Sequence, residues 1–377
     1  MQIKSIKATQ VIQSQGSQGD TWNLAWSREG DLYSPVNDGW GFVRNHTAAD
    51  KFPDQFPNTE PPHHLLFAKI PQNYEGRPYI FGHNVSAMDD YHVPGVVWDK
   101  EPTLEERLNQ QCGPDKATWK TSGCTAIDGT LYLVVGRHKY GDICYDDPFR
   151  RQRATNASII KSTDGGKTWT RSAKENYDNP MFPGQRFSTP YFLDYGQDGN
   201  ETFAHGGDKY VYAHANGGYW DNSDDMVLGR VLRSKIGKLD PADWQYFTGG
   251  DGMNDSAWSP NMADAKPVIE TNNKLGSTGA VYLPHWKSYC LIGWYFPTGG
   301  GKLPGHEHTI WDFHVAPTPW GPWRVVGHHS FAPEAYYCPA ICPRFNSPDG
   351  KTVWAATSGD WCVAKHYKLS MVRLEIE

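Results

Sequence analysis

No stretch of this 377-residue chain is apolar for long enough to cross a membrane as a helix, so no membrane partner is expected. Basic residues form no stripe, and a formal net charge of −6 gives no electrostatic footprint for nucleic acid. An anionic ligand would have to be held by local arginines. The fingerprints of several enzyme classes are missing as well. There is no nucleophile elbow or dinucleotide-binding motif, and Gly299-Gly-Gly301 is not followed by the Lys-Ser/Thr of a phosphate loop. No Pro/Gly/Ser-only linker and no block of charge divides the chain, so residues 1–377 read as a single domain. The N-terminal segment alternates like a strand and has no apolar signal core, which fits either a cytoplasmic protein or one whose leader has been removed.

What the chain does have is turn residues and aromatics. With 38 Gly, 27 Pro and 16 Trp, the composition suits many short strands, hence an all-β fold. Ser162-Thr-Asp-Gly-Gly-Lys-Thr-Trp169, preceded by the strand-like Ala157-Ser-Ile-Ile160, spells an Asp-box, a hairpin signature of β-propellers. In such a turn Asp164 accepts from turn amides, the glycines supply positive φ and Trp169 packs beneath the hairpin. Ser347-Pro-Asp-Gly-Lys-Thr-Val-Trp354 is a looser copy. Both are scaffold chemistry and name an architecture, not a reaction.

A two-part phrase, inner strand then outer strand, recurs along the chain. Residues 125–135 lead to 158–161 and Trp169; residues 209–214 lead to 228–236 and Trp244. Residues 279–283 and 289–294 lead to 308–314 and Trp323, and residues 352–356 lead to 368–376. A fifth unit runs from Gly30-Asp-Leu-Tyr33 through Leu65–Ile70. Such units form the blades of a propeller, and Ile3–Lys7 is placed to pair with the last one and close the ring. Long spacings near Trp98–Trp119 and Trp258–Ile269 leave room for two more blades. A propeller holds its ligand where loops converge at one mouth of the channel.

The phrases Gly30–Trp40, Phe81–Ser86, Tyr212–Trp220 and Leu228-Gly-Arg230 resemble the seven-bladed propeller polysaccharide lyases that cut uronic acid–rhamnose linkages, the ulvan lyases and L-rhamnose-α-1,4-D-glucuronate lyases. The resemblance implies a seven-bladed β-propeller that takes a uronate-containing polysaccharide and cleaves it by β-elimination, leaving an unsaturated uronate. Two histidines, a tyrosine and an arginine would surround the mouth. Elimination requires removal of the C5 proton, stabilisation of the resulting charge and protonation of the leaving oxygen, which such residues can supply.

On that resemblance the paired histidines map onto His63 and His83, with His64 competing for the first place, and the tyrosine maps onto Tyr140, with Tyr145 as alternative. The carboxylate-neutralising arginine maps onto Arg153, with Arg150 and Arg151 as rivals. Arg137 and His138 end an inner strand, where they either meet substrate or form a solvated strand end. His214, Asn216, Tyr219 and Trp220 form a polar-aromatic turn suited to stacking on a sugar ring, or to capping a blade. The chemistry requires no cofactor.

Two other classes stay open. A propeller glycoside hydrolase of sialidase or arabinanase type would use two carboxylates, for which Asp38, Asp89-Asp90, Asp146-Asp147 and Asp224-Asp225 are available. The question that separates it from a lyase is which set of residues lines the mouth. A non-catalytic carbohydrate-binding propeller would use the Trp-rich loops alone. His306-Glu-His308, His314 and His328-His329 lack the spacing of a known zinc site, although a structural ion in the channel is conceivable. Three of the seven cysteines, Cys112, Cys124 and Cys144, could staple an insertion, and composition with a polysaccharide substrate points to secretion.

Overall fold

The computed structural model describes residues 2–14, 16–42, 63–72, 82–88, 117–139, 149, 151–172, 179–200, 209–299, 308–332, 335–360 and 366–377. Within these, the first strand, β1 (Ile6–Gln13), belongs to the last sheet, so the ring begins with its second. Blade 1 has a broken inner strand, β2 (Ser17–Asp20) and β3 (Ala25–Trp26), then β4 (Leu32–Phe42), β5 (His63–Ile70) and β6 (His83–Met88). Blade 2 is β7 (Thr118–Ile127), β8 (Thr130–Lys139) and β9 (Arg153–Ser162). Blade 3 runs β10 (Tyr191–Phe192), β11 (Tyr210–Asn216), β12 (Ser223–Leu232), β13 (Trp244–Phe247) and β14 (Trp258–Ser259), with β15 (Pro267–Leu275) also pairing β12. Blade 4 is β16 (Ala280–Leu283), β17 (Ser288–Tyr295), β18 (Thr309–Ala316) and β19 (Arg324–Phe331). Blade 5 is β20 (Tyr337–Ile341), β21 (Thr352–Ser358), β22 (Leu369–Ile376) and, outermost, β1.

All strand pairs within these sheets are antiparallel, and the five blades coincide with the five repeated phrases. The N-terminus closes the ring as expected: Ile6 stands opposite Ile376, and the amides of Lys4 and Ser5 both donate to the Glu377 carbonyl.

Each blade is covered on both faces, so its central strands carry apolar runs and send alternate side chains to opposite neighbours. Strand β8 shows this directly. Leu131, Leu133 and Val135 join a cluster with Leu65 and Phe67 of blade 1, while Tyr132 and Val134 join one with Val211, Val227 and Trp244 of blade 3. The same division makes one cluster between blades 3 and 4, one between 4 and 5, and one between 5 and 1, where Leu32 and Leu66 pack with Trp354 and Met371.

The described residues therefore close a ring of five, and the seven blades implied by the family resemblance do not appear among them. Trp258–Ile269 gives no blade of its own, because β14 and β15 are taken into the sheet of blade 3. Trp98 lies outside the described residues, and Trp119 belongs to β7.

After β9 the chain turns on Asp164. Its Oδ1 accepts from the Lys167 and Thr168 amides at 3.1 and 3.0 Å, and Oδ2 from the Thr168 hydroxyl at 2.6 Å. Gly165 and Gly166 stand at φ 75° and 84°, and Trp169 is buried edge-on against Phe67 of blade 1, with ring centres 4.8 Å apart. Asp349 repeats part of this pattern, accepting from Ser347 and the Lys351 amide. Among the described residues no helix is long and apolar enough to cross a membrane.

Candidate active site

The inner strands of a propeller face one another across the channel, so polar side chains there are the ones held together without choice. Asp20 ends β2 immediately after Gly19, whose φ of +123° and close approach to Val36 and Asn37 leave no room for a Cβ. Its Oδ2 accepts from the hydroxyls of Tyr337 and Tyr367, each at 2.9 Å, and its Oδ1 accepts from Thr21 at 2.9 Å. Tyr337 opens β20, where a bulge shifts the pairing with β21 and Cys338 takes φ 51°, a left-handed conformation uncommon for a side-chain-bearing residue.

Blade 2 brings a cation to the same place. Lys120 of β7 is 5% exposed in its side chain and rests against the Asp38 carboxylate of blade 1. Next to this pair Asn37 ties the two blades together: its Oδ1 accepts from the amide and hydroxyl of Thr121 at 3.1 and 3.0 Å, and its amide donates to the Thr121 carbonyl. Blade 3 closes the side with Trp220, whose ring meets Trp294 at 5.2 Å, Tyr337 at 5.5 Å and His138 at 5.8 Å. The Trp220 backbone is clamped, its amide donating to Gln152 and its carbonyl accepting from Ser277 of the segment before β16.

Burial sets the electrostatics. It raises the Asp20 carboxyl above the ordinary range, against the lowering influence of Lys120 and of the three hydroxyls. It pushes the Lys120 amine down to about 7, with Asp20 pulling the other way, and the Asp38 contact likewise favours the ammonium. Burial first, then the Lys120 charge, pushes His138 down to about 3, so this imidazole is neutral. Tyr191, Tyr337, Tyr367 and the Cys338 thiol are all raised well above their usual values by burial. All three tyrosines stay protonated, and Tyr337 and Tyr367 serve as hydrogen-bond donors, not phenolate bases.

The residues singled out in the sequence fall in four places. His138 and Trp220 stand at the centre, and Arg137 beside them is buried under Trp119 at 5.3 Å and donates to the Ala117 carbonyl. Arg153, Tyr219 and Arg151 meet on the blade 2–3 rim. Arg153 opens β9 and bridges the Tyr219 backbone, with no hydrogen-bond partner for its buried Nε among the described residues. Arg151 covers the Tyr219 ring at 3.9 Å and pairs with Asp224 at 2.9 Å.

His214 and Asn216 offer sugar no stacking surface. His214 is fully buried, its Nε2 3.1 Å from the Pro319 carbonyl of blade 4, and the buried Asn216 amide donates to Leu275 within blade 3, so both serve packing.

His63 and His83 do not converge. His63 stands opposite Gly39 at the start of β5, whereas His83 lies opposite Lys69 in the outermost strand. The six residue steps from His63 to Lys69 span roughly 20 Å. His64 follows His63 in β5, and Tyr140, Tyr145 and Arg150 lie outside the described residues.

Of the acids considered, Asp38 is at the centre, Asp224 and Asp225 are paired with Arg151 and Arg186, and residues 89–90 and 146–147 lie outside the described residues. Asp20, Lys120, Tyr337 and Tyr367 were not anticipated. The available signal was a lysine inside the strand-like run Trp119–Cys124 and an aspartate after Gly16-Ser-Gln-Gly19, both polar residues within inner strands.

His306 lies outside the described residues, His314 is buried in β18, and His328 is held by Asp312 at 2.6 Å. No group of three or more His, Cys, Asp or Glu side chains that could hold a metal ion is gathered among the described residues. Cys124, Cys290, Cys338 and Cys342 are free buried thiols, so Cys124 staples nothing.

A family model described as a domain of unknown function, DUF4185, matches residues 81–368. No curated protein matches the sequence. Among solved structures, a provisionally named hydrolase from Bacteroides ovatus superposes with TM-score 0.54 at 13% identity, over 96% of this chain and 87% of that one. The levansucrase of Bacillus subtilis gives TM-score 0.46 at 11% identity, over 100% and 86% of the two chains. Xylan β-1,4-xylosidase of Bacillus halodurans gives 0.43 at 12%, over 97% of this chain and 54% of that one, so this chain spans about half its length.

Proposed function

The chain belongs to the DUF4185 family, and from the residues its five blades gather at their centre we propose that it is a carbohydrate-active enzyme that hydrolyses glycosidic bonds. The observation that carries this reading is the carboxyl pair Asp20 and Asp38, placed in unlike surroundings and joined through Lys120. Two carboxyls held in different states are what glycoside hydrolysis needs, one to give a proton to the leaving oxygen and one to act as base or nucleophile. Asp20, raised by burial, takes the first role; Asp38, held as an ion pair, takes the second. Trp220, buried among Trp294, Tyr337 and His138, forms the rigid wall behind this pair. A polymeric saccharide would be met outside the cell, in keeping with secretion. The Bacteroides ovatus structure that superposes with TM-score 0.54 bears a hydrolase name, which accords with this reading without carrying it.

A second reading, uronate elimination on a rhamnose-containing polymer, is favoured by two specific features. The Lys120 amine, near 7, has a strength suited to proton abstraction, and Arg153 carries a buried Nε with no hydrogen-bond partner among the described residues. The test is mass analysis of products from a panel of neutral and uronate polysaccharides. Hydrolysis adds one water per cleavage; elimination adds none and leaves a product absorbing in the ultraviolet. Hydrolytic products that disappear with Asp20→Asn are expected, and unsaturated products would replace the first reading with the second.

A further inference from the structure

A carboxylate oxygen has room for two good in-plane hydrogen bonds, and the two oxygens of Asp20 are filled unequally. Oδ2 accepts from both Tyr337 and Tyr367, whereas Oδ1 accepts from Thr21 alone among the described residues. We propose that Tyr337 and Tyr367 are positioning residues that saturate Oδ2 of Asp20 and thereby make Oδ1 the atom through which this carboxyl gives and takes its proton. The inference rests on the reading of Asp20 as the acid of a hydrolase.

Both tyrosines come from blade 5 while Asp20 comes from blade 1, so the arrangement spans the junction at which the ring closes. The backbone also points to a built feature. Tyr337 reaches Asp20 from a strand whose ladder is interrupted, with the next residue, Cys338, in the left-handed region at φ 51°. Such local strain persists where the surroundings enforce it, and it collects at functional sites. Neither tyrosine is free to rotate away: Tyr337 is packed against Trp220 and Trp294, and both hydroxyls are committed to one oxygen.

The proton step follows. Protonated Asp20 carries its hydrogen on the open lone pair of Oδ1. That O–H bond breaks as the glycosidic oxygen takes the proton, the electron pair remains on Oδ1, and the two tyrosine hydroxyls stabilise the carboxylate that forms. Water enters as the second reactant and restores the proton. Without the tyrosines, Oδ2 would be open to the proton as well, and molecules protonated there would present it away from the substrate.

The experiment is a carbon-13 titration of the intact protein labelled at aspartate carboxyls, the Asp20 signal being identified by its loss in Asp20→Asn. Tyr337→Phe and Tyr367→Phe keep the rings and remove one donor each. Each is expected to raise the Asp20 midpoint by about one pH unit, and the double variant by more, because a donor to the charged form is lost. The alkaline limb of kcat/KM should move upward by the same amount. An Asp20 midpoint unchanged in both single variants overturns the proposal. A midpoint that moves in a protein that hydrolyses no saccharide leaves the positioning standing and removes the hydrolase reading instead.

Discussion

The ammonium of Lys120 lies against the carboxylate of Asp38, a buried pair whose cation comes from blade 2 and whose anion comes from blade 1. Pairs of this kind hold because both partners are present, and breaking one side leaves an uncompensated charge indoors. Lys120→Met should therefore cost about 3–5 kcal/mol, while the double replacement Lys120→Met with Asp38→Asn should recover a large part of the loss. Urea unfolding of the four proteins measures the coupling. Additive losses would show that the two side chains do not act as a pair.

Lys120 also makes stability depend on pH in a stated direction. Its folded value of about 7 lies below the ordinary 10.5, so between these values the unfolded chain binds the extra proton. The penalty is full below pH 7 and is relieved as pH rises from 7 toward 10.5. The wild type should gain stability over that window relative to Lys120→Met, whose curve lacks this contribution. Parallel curves for the two proteins would exclude a depressed lysine.

Three histidines predict the opposite end of the scale. Burial pushes His138 down to about 3 and His214 and His314 down to about 4, so each stays neutral in the fold while the unfolded chain protonates below about 6.5. Stability should fall as pH drops from 6.5 toward 4. In His214→Gln, which keeps a donor for the Pro319 carbonyl, the slope should be smaller by up to one proton. An unchanged slope would mean that His214 is already protonated in the fold.

The Asp164 turn is a test of scaffold without function. Its side chain collects three hydrogen bonds from Lys167 and Thr168, which hold its carboxyl at about 2, but it is almost wholly exposed and solvent screens most of that advantage. Asp164→Ala should cost about 1 kcal/mol and leave turnover unaltered. A large loss of activity at wild-type stability would place this hairpin in the site.

How much was legible follows from what periodicity can see. The run Leu131-Tyr-Leu-Val-Val135 is apolar throughout because both faces of its blade are covered, and the alternation of the N-terminal segment gave away the closing strand. Blade count was not legible, since Trp258–Ile269 has the composition of a blade and only the pairing of β15 with β12 assigns it to blade 3. The site was harder. Gly82-His-Asn84 reads as a turn, but it opens a strand whose register carries His83 away from His63. His214 and Asn216 look like a sugar platform because polar side chains that satisfy buried backbone carbonyls are chemically the same as those that bind ligand. Asp20 and Lys120 are single residues from two blades, and no local pattern relates them until the ring is closed.

Asp20 itself supplies the sharpest prediction, because function and stability should move in opposite directions. Burial raises its carboxyl, so the folded protein holds this proton at pH values where the unfolded chain has released it. The stability Asp20 contributes is therefore full below about 3.8 and is lost as pH rises through its folded value. Asp20→Asn removes that loss. The amide oxygen can still accept from Tyr337 and Tyr367, and the amide nitrogen can donate to Thr21, so the contacts seen at Oδ2 and Oδ1 have replacements. At pH 8 the variant should be at least as stable as the wild type while losing turnover by a factor on the order of 10²–10⁴, the range for removing a general acid. Sites kept for chemistry commonly show this trade, in which the replacement is better for the fold and worse for the reaction. Chemical denaturation at pH 5 and pH 8 beside the product assay decides it. A variant several kcal/mol less stable at both pH values would make Asp20 a structural keystone of the ring closure, and the acid of the site would then have to be sought at Asp38.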